Sequence, residues 1–286
     1  MKKYKKILIF IILSIFVAVS IASCSFLAGK AVSVMSFNYP GLRIETKNIS
    51  PEEIKDRRPC VVCFGDSVTF GWNLKYDESY PAVLENLLLE EYPHVKVINS
   101  GIGGNTIADG YGRIGSDVLY YEPDVVVINF GLNDGMLFKV DRNKFNEKES
   151  LILYKNDEGC YIPQLDILPF ADYYFDMLKK IESEEIKVVV MGINPVSGCF
   201  PLSEDESFRK KQIEVYKLYN EKIIEIGENG GFACLNLWEI FTKDGKINSY
   251  IQKDCIHPNK EGSELVAENV CKILKLYNIL EQVETK

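Results

Sequence analysis

Three side chains of the sequence combine the residue types that activate a hydroxyl group as a nucleophile. Ser67 lies in Gly65-Asp66-Ser67-Val68, and a serine hydroxyl needs a neighbouring base before it attacks. The chain has 2 histidines, His94 and His257, and Asp254 precedes the second by three residues. A tight loop brings such a carboxylate to the imidazole Nδ1–H and fixes the tautomer. The pattern predicts Ser67 as nucleophile, His257 as general base and Asp254 as its orienting acid.

The elements that must position these residues follow from the apolar pattern. Five short runs are rich in Val, Ile and Leu with little polar alternation, which is typical of strands covered on both faces. They are Cys60–Gly65, Val95–Asn99, Asp124–Gly131, Ile186–Ile193 and Phe232–Leu237. Helical patterns lie between them, over residues 81–91, 108–120, 170–184, 207–228 and 259–279. This alternation predicts an α/β fold with a mostly parallel five-stranded sheet and helices on both faces.

The position of each candidate along its strand decides which histidine can serve Ser67. Ligands of such sheets bind beyond the carboxyl ends of the strands. Ser67 follows the first predicted strand, and His257 follows the last one, so both lie at that edge. His94 comes directly before the second strand, at the opposite edge, and is predicted to be a surface loop residue. By elimination the base is His257, or Ser67 has no histidine partner; the alternative for Gly-Asp-Ser and for Asp254 is ordinary turn and helix-start chemistry.

Two further segments end strands at the same edge. The loop over residues 99–106 is rich in glycine, which leaves backbone N–H groups open to a ligand, as an oxyanion site requires. A dinucleotide-binding loop is the rival interpretation, but Thr106 stands where its third glycine is needed. Asn133 follows the third strand, and its amide offers two donors. The alternative for Asn133 is a turn residue beside Asp134-Gly135.

Four blocks of the sequence together resemble the SGNH hydrolases, also called the GDSL-like esterase-lipase (acylhydrolase) family. The blocks are VVCFGDSVTFGW, VINSGIGGNT, VVINFGLNDG and DCIHPN. They occur in the family's order and extend over roughly residues 58–275. One departure is Val68, where the family name has Leu, and no catalytic role depends on it.

The resemblance implies a fold and a role for each matching residue. The family fold is a flavodoxin-like three-layer α/β/α sandwich, in agreement with the predicted strands and helices. Ser67 resembles the nucleophile, and Asp254 and His257 resemble the rest of the triad. The N–H groups of Ser67 and Gly104 and the side chain of Asn133 resemble the oxyanion donors. No metal and no organic cofactor are implied.

The first residues are typical of an export signal. MKKYKK is followed by a nearly unbroken apolar run from Ile7 to Ala22 and then by Cys24. The tetrad that ends at Cys24 resembles a bacterial lipobox, which is cut before a cysteine that becomes lipidated. The alternative is an uncleaved helix over Ile7–Ala28, which is long enough to span a bilayer. Both interpretations place the catalytic domain outside the cytoplasm and anchor it to the membrane.

The predicted domain organisation follows from these assignments. Residues 1–23 form the signal, residues 24–57 a tether and lead-in segment, and residues 58–286 the hydrolase domain. An insertion over residues 136–172 is longer than an ordinary connection. Within it, Ser150–Tyr154 and Cys160–Ile162 predict a small hairpin. Because the insertion leaves the third strand on the catalytic side, it is expected near the active site, where it either shapes substrate choice or is a surface excursion without a role.

The charge of the chain disfavours two kinds of partner. Its 33 basic side chains less the four signal lysines leave 29, against 41 acidic ones, so the net formal charge without the signal is −12. A surface that acidic disfavours nucleic acid and anionic lipid headgroups.

The cysteines predict no metal centre. Beyond Cys24, seven remain, and an odd number cannot all pair. Cys60 and Cys63 are spaced like a redox or metal pair, but residues three apart on a strand face opposite sides. They are therefore predicted to be buried strand thiols. The pairing of the remaining cysteines stays open at this point.

These inferences predict a membrane-tethered serine esterase outside the cytoplasm. Its candidate substrates are O-acetylated glycans, short-chain esters and lysolipids. Two alternatives from other classes remain. One is an O-acyltransferase that uses the same site with an acceptor sugar, and the other is a non-catalytic glycan-binding lipoprotein.

Overall fold

A computed structural model describes residues 59–141, 151–156, 159–201 and 205–280. The predicted signal, Cys24 and the tether lie outside the described residues, as do residues 142–150 of the predicted insertion. In the part of the chain that the structure covers, no helix is long and apolar enough to cross a membrane.

The central sheet has five strands: β1 (Cys60–Gly65), β2 (Lys96–Gly101), β3 (Val125–Asn129), β7 (Lys187–Met191) and β8 (Ala233–Leu235). Their order is β2-β1-β3-β7-β8, and every neighbouring pair is parallel. All five predicted strands are confirmed, with shifted ends. β8 is shorter than predicted because Leu237 already begins a helix. This strand order is the flavodoxin-like one. The chain adds β2 on one side of β1 and then crosses to add β3 on the other side. Ligands of such folds bind at this switch point, between β1 and β3.

Helices cover both faces of the sheet. The helices are α1 (Ser67–Phe70), α2 (Tyr80–Leu89), α3 (Ile107–Asp117), α4 (Ile167–Glu182), α5 (Glu206–Asn229), α6 (Leu237–Thr242), α7 (Ile247–Tyr250) and α8 (Lys260–Leu276). Single 3₁₀ turns lie at Tyr76–Glu78 and Leu119–Tyr121. The helical patterns read from the sequence therefore correspond to α2, α3, α4, α5 and α8.

Two apolar cores, one on each face, make the fold a three-layer sandwich. Alternate residues of β1 enter opposite cores, because successive strand side chains point to opposite faces. α3, α4 and α5 pack on one face, and α2, α6 and α8 pack on the other. Cys60 and Cys63 are both fully buried, the first in one core and the second in the other. The prediction of buried strand thiols on opposite faces is confirmed.

A second, antiparallel sheet stands in the predicted insertion. Its strands are β4 (Leu137–Val140), β5 (Tyr154–Asn156) and β6 (Gly159–Pro163), in the order β4-β6-β5. The β5–β6 pair corresponds to the predicted hairpin, but its first strand is Tyr154–Asn156 and not the predicted Ser150–Tyr154. The Leu151 N–H donates to Asp166 Oδ2 at 2.7 Å. β4 was not predicted. Hydrogen bonds attach this sheet to α5: Leu137 N donates to Gln212 Oε1 at 2.8 Å, and the hydroxyls of Tyr154 and Ser207 lie 3.0 Å apart.

Candidate active site

The turn that carries Ser67 joins the end of β1 to the start of α1. Asp66 caps this short helix, and its Oδ1 accepts the Val68 N–H at 2.9 Å. Gly65 admits no side chain, because a Cβ there would lie 2.2 Å from Thr69 Oγ1 and 2.4 Å from the Asn129 carbonyl oxygen. The close packing of β1, β3 and α1 therefore fixes the position at which Ser67 leaves the sheet.

His257 and Asp254 lie in a loop that closes on itself just before α8. Ile251 and Pro258 form an isolated antiparallel bridge, and the Gln252 N–H donates to the His257 carbonyl oxygen at 2.8 Å. Asp254 Oδ1 accepts the backbone N–H groups of Ile256 and His257, both at 3.1 Å. The carboxylate is thus oriented by its own loop.

The structure brings Ser67, His257 and Asp254 together in one line of contacts. His257 Nε2 lies 2.9 Å from Ser67 Oγ, and His257 Nδ1 lies 2.7 Å from Asp254 Oδ2. Of the two neutral tautomers, the one with its proton on Nδ1 satisfies both contacts. In that tautomer Nδ1–H donates to Asp254 and Nε2 accepts from the Ser67 hydroxyl.

The charge of Asp254 suits this contact. Its partial burial acts to raise its pKa, but hydrogen bonds from the His257 side chain and from the N–H groups of His257 and Ile256 outweigh that effect. The pKa of Asp254 is therefore lowered, and the carboxylate is ionised at neutral pH.

The glycine-rich loop after β2 lies against the same turn. Gly104 adopts φ +81°, a left-handed conformation that favours glycine, and the space where a side chain would stand is open. At Gly103 a Cβ would lie 3.9 Å from Ser67 Cβ, so this loop approaches the serine closely. Asn133, at the end of β3, donates from Nδ2 to the Asn105 carbonyl oxygen at 2.9 Å. The sheet edge thus assembles Ser67, Gly104 and Asn133 in one place.

His94 lies where the sequence predicted it. It is exposed in the turn before β2, at the amino edge of the sheet. It is therefore separated from Ser67 by the length of the strands.

Two buried carboxyl groups flank this site, and sequence reasoning gave them no role. Asp66 is 1 % exposed and Asp134 is fully buried. Burial raises the pKa of Asp66 to about 6 and that of Asp134 to about 8, and the charge on Asp66 adds to the second shift. Asp134 Oδ1 accepts the Ile107 N–H at 2.9 Å, while its Oδ2 has no hydrogen-bond partner among the described residues. The only sequence signal for them was their adjacency to Ser67 and Asn133.

A disulfide between Cys199 and Cys255 holds the histidine loop, and the sequence did not reveal it. The two cysteines are 56 residues apart, and Cys255 stands between Asp254 and His257. The bond joins the loop to the segment after β7. Ser197 N also donates to the Cys255 carbonyl oxygen at 2.8 Å, and Asn194 Nδ2 donates to the Ile256 carbonyl oxygen at 2.9 Å.

Trp72 forms a further contact with the histidine. Its ring stacks beside the imidazole of His257, with centroids 5.8 Å apart and planes inclined by 28°. Gln252 Nε2 donates to the carbonyl oxygens of Trp72 and Pro258, at 2.7 and 2.8 Å. These contacts attach the segment after α1 to the histidine loop.

The ion-binding residue types do not cluster in the described ranges. No group of three or more His, Cys, Asp or Glu side chains there has an arrangement that could hold a metal ion.

The fold and the site define a class of ester hydrolase, and comparison with known proteins gives the family. The profile described as "GDSL-like Lipase/Acylhydrolase family" matches residues 63–265. The chain therefore belongs to the GDSL-like lipase/acylhydrolase family, a family of carboxylic-ester hydrolases.

Three relatives in sequence bear informative names. An "Arylesterase" of Vibrio mimicus is 29% identical over 140 residues, which are 45% of this chain and 68% of that protein. An "Uncharacterized lipoprotein YqeF" of Bacillus subtilis is 37% identical over 95 residues, 30% of this chain and 39% of that protein. An "Acetylxylan esterase" of Xylanibacter ruminicola is 25% identical over 230 residues, 75% of this chain and 43% of that protein. The chain thus spans less than half the length of the last two.

Solved structures agree on the fold. The crystal structure of an acetyl xylan esterase, AlAXEase, superposes with a TM-score of 0.54 at 23% identity, covering 74% of this chain and 97% of that one. The predicted three-layer α/β/α SGNH hydrolase fold is confirmed.

Proposed function

We propose that the protein is a membrane-tethered serine esterase, working outside the cytoplasm, that hydrolyses carboxylic esters through Ser67, His257 and Asp254. The observation that carries the proposal is the continuous line of contacts, 2.9 Å from Ser67 Oγ to His257 Nε2 and 2.7 Å from His257 Nδ1 to Asp254 Oδ2. A serine with an oriented base is the arrangement that nucleophilic acyl transfer requires.

The reaction runs in two halves. Ser67 Oγ attacks the ester carbonyl carbon while His257 Nε2 takes the hydroxyl proton. When the tetrahedral intermediate collapses, the bond to the alcohol oxygen breaks and His257 returns the proton to the leaving alcohol. Water then attacks the acyl-serine, again with His257 as base, and releases the acid. Asp254 holds the imidazole in the tautomer that this exchange needs.

Three donors face the developing oxyanion in this proposal. They are the N–H groups of Ser67 and Gly104 and the amide of Asn133. One Asn133 amide hydrogen is directed at the Asn105 carbonyl oxygen, 2.9 Å from Nδ2. That bond orients the amide. Nδ2 also lies 3.5 Å from Asp66 Oδ2, and in this proposal the oxyanion takes the place of that longer contact.

The names of two relatives favour small esters among the candidate substrates. The Xylanibacter protein is named an acetylxylan esterase and the Vibrio protein an arylesterase. O-acetylated glycans and short-chain esters are therefore proposed ahead of lysolipids. A contribution of the insertion over residues 136–172 to substrate choice stays a prediction.

The experiment is hydrolysis of a series of nitrophenyl esters, from acetate to palmitate, by the full chain extracted in mild detergent. We expect acetate and butyrate to be hydrolysed best and the matched Ser67→Ala variant to release no nitrophenol above background. Equal hydrolysis by Ser67→Ala, or hydrolysis of none of the esters by the wild type, would overturn the proposal. Acyl transfer to an added glycan in place of release of the acid would identify an acyltransferase instead.

The tether is a separate part of the proposal. Its support is the lipobox-like tetrad at Cys24 and the Bacillus relative named as a lipoprotein. Wild-type protein should incorporate labelled fatty acid, and Cys24→Ala should accumulate as the uncleaved precursor. A mature protein that keeps its first 23 residues would favour the single membrane-spanning helix.

A further inference from the structure

Arg113, on α3, is a largely buried cation that the proposed reaction does not use. Its side chain is 13% exposed, and its charge is paired with Asp117, whose Oδ2 lies 2.9 Å from Nη1. The guanidinium also lies over the ring of Phe64, 4.4 Å from the centroid. An ion pair with Asp117 alone would not require the guanidinium to be this deeply buried or to lie over the Phe64 ring.

The remaining donors of Arg113 reach three separate segments. Nη2 donates to the Gly65 carbonyl oxygen at 2.8 Å, and Nη1 donates to the Ser100 carbonyl oxygen at 2.9 Å. Nε donates to Asn105 Oδ1 at 2.8 Å. One planar group thus joins the end of β1, the end of β2 and the glycine-rich loop.

Two of these segments lead directly to a proposed oxyanion donor. Gly65 stands two residues before Ser67, and Asn105 directly follows Gly104. The third donor is reached through the same residue, because Asn133 Nδ2 bonds to the Asn105 carbonyl oxygen at 2.9 Å. The Arg113 side chain therefore bonds to two of the donor-bearing segments directly and to the third through Asn105.

We propose that Arg113 is a positioning residue that holds the donors of Ser67, Gly104 and Asn133 in register for the oxyanion. The inference rests on the proposed function and deepens it. Only a guanidinium has the fixed fork that satisfies these acceptors at once, since a lysine ammonium is a single point on a flexible stem. Because the donors act on charge that develops in the transition state, their misplacement lowers kcat more than it weakens substrate binding.

The test compares Arg113→Met and Arg113→Lys in the full chain, with nitrophenyl acetate as substrate. Active sites are counted by stoichiometric reaction with a fluorophosphonate, so that unfolded protein does not enter kcat. We expect kcat per active site to fall about 10–100-fold in both variants, because displacement of reacting groups by about 1 Å has costs of this size, with KM within about twofold of wild type. Lys96→Met is the matched control. This substitution breaks a partly buried ion pair at the amino end of β2, in which Lys96 Nζ lies 3.1 Å from Glu85 Oε2. It should leave kcat and KM unchanged.

A second substitution keeps the proposal testable if the Arg113 variants do not fold. Asn105→Ala removes the Nε acceptor and leaves the carbonyl oxygen that Asn133 uses, so kcat per active site should fall about 3–10-fold. Inhibition by an alkyl boronic acid, which mimics the tetrahedral intermediate, should weaken in parallel with kcat in all of these variants. Unchanged kcat per active site in every Arg113 and Asn105 variant that folds would overturn the inference. If Ser67→Ala hydrolyses the ester as well as wild type, the proposed function fails instead.

Discussion

The two halves of the proposed site are positioned by different means. The nucleophile half, residues 65–67, 103–105 and 133, stands where β1, β2 and β3 end. Partly buried hydrogen bonds that Arg113 and Asn133 donate join its parts. The histidine half, residues 251–259, is a loop between the short α7 and the start of α8. It is held by the Cys199–Cys255 disulfide and by bonds from Ser197 and Asn194.

The difference shows what a parallel sheet can position and what it cannot. The carboxyl ends of parallel strands lie at one edge of the sheet, and the hydrogen bonds between strands set their spacing. Side chains that follow β1, β2 and β3 therefore lie close together without further cross-links. The histidine loop does not leave a strand, and Cys255 within it adopts φ +70°, which is uncommon for a residue other than glycine. Its geometry depends on local cross-links. The two halves should therefore respond differently to substitution, reduction and pH.

The largest effect should come from the reacting contact between the two halves. His257→Ala removes the base, so hydrolysis per folded molecule should fall by about 10⁶-fold, as is typical when one member of such a unit is removed. His94→Ala is the matched histidine control and should leave the rate within about twofold, because His94 is exposed at the opposite edge of the sheet. The measurement is kcat/KM for nitrophenyl acetate. Loss of activity in His94→Ala with activity retained in His257→Ala would reverse the assignment.

A smaller effect is expected within the nucleophile half. Asn133→Ala deletes one of three oxyanion donors but leaves Ser67 and His257 in place. The expected loss is about 10²–10³-fold, or about 3–4 kcal/mol, mainly in kcat. Steady-state kinetics with a short ester measure it, and a change confined to KM would contradict the role of Asn133 as an oxyanion donor.

The histidine half should be the part that is sensitive to reduction. Opening the Cys199–Cys255 bond leaves Asp254 and His257 on a loop held by hydrogen bonds alone, so kcat/KM should fall about tenfold, since modest misplacement has costs of this order. The thermal midpoint should fall as well, because the bond closes a loop of 56 residues. Rates are compared with and without dithiothreitol. Cys199→Ser should already show the reduced rate, and dithiothreitol should lower it no further. Equal rates for wild type and Cys199→Ser, each with and without dithiothreitol, would show that the bond does not position the loop.

The last effect concerns stability and leaves the rate aside, and it belongs to Asp134, the residue after Asn133. Burial raises the pKa of Asp134 to about 8, so the folded state favours its protonated form. The stability that this group contributes is present below pH 4 and falls as the pH rises toward 8, by an amount on the order of a few kcal/mol. Asp134→Asn cannot ionise. Its thermal midpoint relative to wild type should therefore rise between pH 5 and pH 9, and a difference independent of pH would contradict the buried-acid interpretation.

The sequence predicted the nucleophile half well because that half depends on local patterns. Apolar runs located the five strands, and the rule that ligands bind beyond strand carboxyl ends placed Ser67 and Asn133 at one edge and His94 at the other. The strand period of two separated Cys60 from Cys63. Each inference needed only the neighbours of a residue along the chain.

What the sequence did not predict depends on contacts between distant segments. Cys199 is one of seven cysteines beyond Cys24, and nothing near it indicates Cys255 as its partner. In the sequence, Arg113 is typical of a helix residue that pairs with an acidic residue four positions later, Asp117. Its hydrogen bonds to Gly65 and Ser100 join segments that are distant in the sequence. β4 was missed because its pairing with β6 crosses most of the insertion.

The central claim, that Ser67 attacks with His257 as its base, is tested most directly by covalent labelling. The full chain is treated with a fluorophosphonate, digested, and analysed by mass spectrometry. The account predicts one adduct, on the peptide that contains Ser67, with labelling retained in His94→Ala and slowed by several orders of magnitude in His257→Ala. An adduct on a different residue, or labelling of His257→Ala at the wild-type rate, would contradict it.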